Sequence, residues 1–195
     1  MATISEALAI AIGRHQAGQL QAAEQIYRQI LQAQPNHPQA WHLLGVVAHQ
    51  VGQHEIAVDY IGRAIRLNAN EVDFHNNLGA AYRALQKIPE AVACWRRALE
   101  LKPDCAQAHY NLGNALRDQG GPDEAIACYR RAVELQPDYA DAHNNLGVAL
   151  KIQGKLEEAI ACWRRVLELK PNSAETYCNL GNAWHDQRKL EEAVA

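Results

Sequence analysis

Asn77, Asn111, Asn145 and Asn179 follow one another at intervals of 34 residues. A primary amide offers donors and an acceptor from one side chain, so it can bond both polar groups of a peptide backbone without reading its sequence. Asparagine is also a mediocre helix former, because its amide competes for backbone groups. Four in register therefore want a reason. Asn76 and Asn144, one position earlier, and Asn114 and Asn182, three positions later, widen the stripe. Two charged rows flank it: Asp73, Asp141 and Glu175 on one side, and Arg83, Arg117 and Lys151 on the other, with His15, His49 and His185 in the outer copies. Two readings of the amides stand side by side, a face that holds an extended polypeptide and a set of braces between adjacent helices. The charged rows match acids at helix N-termini and bases at C-termini, and a bound chain would feel both.

The other chemistry-bearing residues point away from catalysis. His75, His109 and His143 share a position with Trp41 and Tyr177, which marks packing, and no two histidines stand i, i+3 or i, i+4 as chelation on one helix requires. Cys94, Cys128 and Cys162 also recur every 34 residues, beside Trp95, Tyr129 and Trp163, and are expected to be small packing residues. The pairs Arg96-Arg97, Arg130-Arg131 and Arg164-Arg165 lie near Glu100, Glu134 and Glu168 at the spacing of solvated helical ion pairs. No glycine-rich phosphate loop and no Ser–His–Asp arrangement is present. No enzyme activity, cofactor or metal is expected.

These residues must be positioned by a repeat. Gly45, Gly79, Gly113, Gly147 and Gly181 keep the same interval, as do the leucines before them and Ala57, Ala91, Ala125, Ala159 and Ala193. Pro35, Pro103, Pro137 and Pro171 close the copies, with Ala69 in the one gap. The copies are 4–37, 38–71, 72–105, 106–139, 140–173 and a partial 174–195, together a single domain; positions are counted from the first residue of each. In the fourth copy His109, Leu112, Gly113 and Leu116 form an i, i+3, i+4, i+7 stripe, one face of a helix A. Gln119-Gly120-Gly121-Pro122 ends it, and Pro122 can open a helix B. Glycine costs about 1 kcal/mol relative to alanine inside a helix, so its recurrence predicts a neighbouring helix too close for a Cβ. One hairpin cannot bury both faces, so hairpins must stack. At about 100° per residue, positions 2, 5, 6, 9, 12 and 13, which include the amides, fall opposite the apolar stripe.

Composition agrees. The chain has 195 residues, 48% of them apolar, so it can build a core. A net charge of −3 argues against a nucleic-acid binder. No apolar run is long enough to span a bilayer, and Ala7–Ile12, preceded by Glu6, is not a signal peptide. Five cysteines without C-x-x-C spacing are expected to be reduced thiols in a cytoplasmic protein.

Trp41-x2-Leu44-Gly45, Leu78-Gly79-x2-Tyr82, Ala91-x3-Trp95 and Pro103 resemble the tetratricopeptide pattern W-x2-L-G-x2-Y…A-x3-F…P. The resemblance implies an all-α, right-handed α-solenoid of stacked helix-turn-helix hairpins, about eleven helices in all, that binds proteins or peptides. The family's carboxylate clamp, with lysines at positions 2 and 5 and an arginine at 6, is missing: position 2 is Gln39, Asp73, Gln107, Asp141 and Glu175, and position 5 has no lysine. The runs HYNLGNALRDQG and KLEEAIACWRRVLELKPNSAETYCNLGNA are similar to the superhelical repeats of the O-linked N-acetylglucosamine transferase family, bacterial relatives included. That resemblance implies that Asn77, Asn111, Asn145 and Asn179 line a concave groove for substrate polypeptide, with Leu43 departing from the row. It makes the chain the recruiting region of a larger glycosyltransferase; the other reading is an assembly scaffold.

The last copy is expected to hold only the start of a helix B, at Lys189–Ala195, leaving Leu180, Trp184, Leu190 and Val194 short of partners. Two outcomes are expected of that end: further repeats of a longer protein cover it, or identical molecules stack end to end.

Overall fold

The computed structural model describes residues 3–194, with side chains described for 3–187. Its backbone divides into two compact units, Met1–Pro103 and Asp104–Ala195. The first holds α1 (Ile4–Gln16), α2 (Leu20–Ala33), α3 (Pro38–Gln50), α4 (His54–Leu67), α5 (Val72–Ala84) and α6 (Ile88–Leu101). The second holds α7 (Ala106–Asp118), α8 (Pro122–Leu135), α9 (Ala140–Ile152), α10 (Leu156–Leu169) and α11 (Ala174–Val194). Odd-numbered helices are the A helices of the repeats. Within each unit an A helix pairs with the B helix after it, and each B helix packs on the next A helix. The all-α architecture of stacked hairpins follows the 34-residue period, with no strand among the described residues.

Each hairpin turns by the same device. The residue after the A-helix cap adopts positive φ, at Gly18 (73°), Gly52 (81°), Gly120 (81°) and Gly154 (76°), with Gln86 (59°) in the third repeat. Its N–H and that of the next residue bond back to the last turn, as in Gly154 N–H to the Lys151 carbonyl at 2.9 Å and Lys155 N–H to the Leu150 carbonyl at 3.0 Å. This pair of bonds is the Schellman closure, which favours glycine because a Cβ clashes in left-handed backbone. At residue 188 the sixth repeat places arginine instead. There the structure corrects the expected hairpin: α11 runs as one helix from Ala174 to Val194. A straight helix avoids the ~1–2 kcal/mol that a non-glycine residue spends in left-handed backbone. Of the residues expected to lack partners, Leu180 is in fact buried at 2% exposure, and the side chains of Leu190 and Val194 lie outside the described residues.

The repeated glycines are close approaches, and the neighbour is a side chain of helix B. A Cβ on Gly79 would meet the Trp95 ring at 2.6 Å, on Gly113 the Tyr129 ring at 2.7 Å, and on Gly147 the Trp163 ring at 2.7 Å. At Gly45 it would meet Ile61 at 2.5 Å, with the Ala57 carbonyl also within 3.2 Å. Each glycine is thus the socket for one large residue on its own repeat's helix B. A Cβ on Gly181 would meet nothing within 4 Å among the described residues.

Position 4 of helix A serves as a latch as well as a packing residue. The Trp41 indole N–H donates to the Pro35 carbonyl at 2.8 Å. His75 Nε2 bonds the Ala69 carbonyl at 2.9 Å and His143 Nε2 the Pro137 carbonyl at 3.1 Å. Tryptophan and histidine interchange here because both carry a ring N–H aimed six residues back, at the turn that enters the helix. Among the described residues no group of three His, Cys, Asp or Glu stands close enough together to form a metal site.

Candidate functional site

The A-helix amides follow one rule. In the first unit Asn77 Nδ2 lies 2.8 Å from His42 Nε2, on the helix A before it. In the second unit Asn145 Nδ2 donates to the Tyr110 hydroxyl at 3.3 Å, and Asn179 Nδ2 to Asn144 Oδ1 at 3.4 Å. At these three positions the amide therefore donates to the position-5 residue of the preceding repeat, whatever its type. The bracing reading accounts for the N–H side of these amides. Their carbonyl oxygens at Asn77, Asn145 and Asn179 accept no hydrogen bond among the described residues, and all three residues are half-buried.

His42 shows what the brace demands. It is 4% exposed, and burial pushes its pKa down to about 4, although the Asp73 carboxylate pulls the other way. The ring is neutral at physiological pH, so Nε2 accepts from Asn77 and the proton sits on Nδ1, which is buried with only a weak interaction toward the Asp73 backbone.

The remaining predicted site residues divide by environment. Asn114 differs from the open-face expectation: it is 4% exposed, and its Oδ1 accepts from both the Tyr129 hydroxyl and Asn145 Nδ2 at 2.8 Å. Its burial had a sequence signal, since the same position is Val46, Ala80 and Val148 in sister repeats. Asn111 Oδ1 accepts from Gln107 at 3.1 Å. Asn144 donates to Glu175 at 3.1 Å, and the Asn76 backbone carbonyl accepts the Trp95 indole N–H at 3.1 Å. Asn182 is exposed and makes no side-chain hydrogen bond among the described residues.

The charged rows are engaged locally. Asp141 pairs with Lys170 at 2.7 Å, Lys151 with Asp186 at 3.0 Å, and Arg117 with Asp118 at 3.2 Å. Arg83 is engaged as well, and Asp73 lies beside His42. Exposed pairs of this kind contribute about 0–1 kcal/mol each, so an incoming chain can displace them at little cost. On the far side of the hairpins Arg97–Glu100, Arg131–Glu134 and Arg165–Glu168 form the expected i, i+3 pairs at 2.7–3.0 Å.

Cys94 and Cys162 carry no thiolate at neutral pH, because burial pushes both up to about 11. One A helix has an open apolar side: Tyr177 is 57% and Trp184 50% exposed on α11, flanking the unfilled socket at Gly181. No helix among the described residues is long and apolar enough to cross a membrane.

A family model described as TPR repeat matches residues 79–120, 113–154 and 149–188, and one described as tetratricopeptide repeat matches residues 14–76. No curated protein sequence matches. Among solved structures the chain is similar to MamA, at 24% identity and a TM-score of 0.74, over 85% of this chain and 97% of that one. It is similar to YrrB, a TPR protein with an unusual peptide-binding site, at 22% identity and a TM-score of 0.70, over 94% and 91%. PilF of Pseudomonas aeruginosa superposes with a TM-score of 0.86 at 16% identity, over 97% and 87%. At these identities the likeness is one of fold.

Proposed function

Because the chain belongs to the tetratricopeptide repeat family, we infer that it is a polypeptide-binding scaffold whose second unit grips an extended chain on its A-helix face. The observation that carries this reading is the division of labour within the amides. Asn145 and Asn179 are oriented by their own N–H bonds to the preceding repeat and keep an unengaged Oδ1. A fixed carbonyl acceptor on successive repeats suits the backbone N–H groups of any extended peptide. Packed helices lie about 8–10 Å apart and extended peptide rises about 3.3 Å per residue, so successive rungs meet roughly every third residue. YrrB, a structural neighbour described as having a peptide-binding site, lends the reading indirect support.

The test uses the difference between braced and unbraced amides. A peptide selected from an unbiased display library against the wild-type chain is titrated into Asn182→Ala, Asn179→Ala and Asn145→Ala. All three should weaken binding, whereas only the two braced positions should lower stability. Unchanged affinity in all three refutes the groove.

A finer reading makes the scaffold the recruiting region of an O-linked N-acetylglucosamine transferase-like enzyme, with the first unit's Asn77 in the same service. It rests on the similarity of the repeat runs. The full reading frame tests it, and a frame without a transferase domain ends it. A second reading, self-association, is favoured by the open side of α11 at Tyr177, Gly181 and Trp184. Sedimentation velocity across a wide concentration range should show association that Trp184→Glu abolishes; a monomer throughout refutes it.

A further inference from the structure

The first unit contains a cavity that owes nothing to the asparagine face. It has a volume of about 230 Å³ and is lined by Arg28, Leu31, Gln32, Trp41, Leu44 and Tyr60, from α2, α3 and α4. Its two aromatic residues differ from those of the three copies that follow. Trp41 stands where other copies have His75, His109 and His143, and Tyr60 where they have Cys94, Cys128 and Cys162. The two rings lie 5.4 Å apart, and the latch to the Pro35 carbonyl fixes Trp41. The Arg63 guanidinium sits 4.2 Å above the Trp41 ring and has no acidic partner among the described residues.

A third departure leaves the cavity open. In the second unit the corresponding groove is tied across by Arg130 of α8 and Glu158 of α10, at 2.7 Å. The first unit keeps the arginine, as Arg28, but has Ile56 in place of the glutamate. Arg28 instead turns back to Glu24 on its own helix, at 2.7 Å, in a largely exposed pair. Such a pair is weak, so its guanidinium can be recruited by a stronger acceptor.

We propose that this cavity binds the C-terminal aromatic residue of a polypeptide, with the ring against Trp41 and Tyr60 and the carboxylate taken by Arg28, while Arg63 over Trp41 adds positive charge nearby. The volume falls below the roughly 300 Å³ at which small-molecule sites begin, which suits one residue. Ring and carboxylate belong to the same residue only at a C-terminus, and guanidinium–carboxylate bonds are the strong, directional kind. A free amino acid would bring an ammonium group toward two guanidiniums, which a peptide terminus does not.

The experiment titrates the whole chain with N-acetyl-phenylalanine, its C-terminal amide and free phenylalanine, following the Trp41 indole N–H by NMR, assigned with Trp41→Phe. The acid should shift that signal saturably and bind about tenfold more tightly than the amide or free phenylalanine, a gap of about 1.4 kcal/mol. Arg28→Gln should bring acid and amide level. Ile56→Glu, an exposed change that restores the cross-groove ion pair, should abolish binding while circular dichroism stays unchanged. Equal binding of acid and amide by the wild type overturns the proposal. So does wild-type-like binding by Ile56→Glu, or free phenylalanine binding as tightly as the acetylated acid.

Discussion

Adding one methyl group at Gly113 and one at Gly181 should move stability in opposite directions. Both glycines hold the same repeat position, and alanine improves helix propensity by about 1 kcal/mol at either. At Gly181 the new Cβ meets nothing within 4 Å, so the gain should appear undiminished. At Gly113 the Cβ lands 2.7 Å from the Tyr129 ring, whereas carbon atoms in contact sit about 3.5–4.0 Å apart. The ring must retreat by about 1 Å. It is not free to do so, because its hydroxyl donates to Asn114 at 2.8 Å, and Asn114 also takes the Asn145 brace. Overpacking of this kind costs about 1–3 kcal/mol, and straining the buried hydrogen bond adds about 0.5–1.5 kcal/mol. Gly113→Ala should therefore lose about 1–3 kcal/mol net and Gly181→Ala gain about 1. Urea unfolding by far-UV circular dichroism, compared at matched m values, separates the two. Equal midpoints for the two variants would refute the socket reasoning.

His42 should make the first unit acid-labile. Its folded pKa of about 4 lies below the unfolded value of 6.5, so the unfolded chain binds the extra proton between those pH values. Stability should fall by up to about 3 kcal/mol as pH drops from 6.5 toward 4 and should not fall further from this group below it; His42→Gln should flatten that slope in urea titrations. Burial also lowers His49 and His143, so part of the slope should survive. Thiol labelling with Ellman's reagent at neutral pH should modify exposed Cys178 first and leave Cys94 and Cys162 slow, and uniform rates would contradict their burial.

The fold was legible because each hairpin repeats its punctuation. Gly120, Pro122 and Pro137 place the ends of α7 and α8 from composition alone. The latch was not legible. Trp41, His75 and His143 look like bulky packing residues until the carbonyl six residues earlier is located. The amide stripe was legible as a row but not as two environments. Asn114 and Asn182 share a helical angle, and only packing against Tyr129 takes the first inside. Continuity of α11 could have been read from Arg188, since every other copy but the third has glycine there. Gln86 shows why that signal is soft, because a full hairpin around it tolerates the strained backbone.

The position-6 brace has a consequence for how such a chain changes length. Its acceptor is an imidazole nitrogen at His42, a phenol oxygen at Tyr110 and an amide oxygen at Asn144. One asparagine docks on all three because its N–H asks only for a lone pair at the right height, not for a particular side chain. Excise residues 140–173 and Asn179 would follow Tyr110 instead of Asn144, and would again find an oxygen. At the three braced junctions this bond is thus indifferent to which neighbour arrives, so gene duplication and unequal crossing-over in whole units of 34 residues can lengthen or shorten that stretch of the array without losing it.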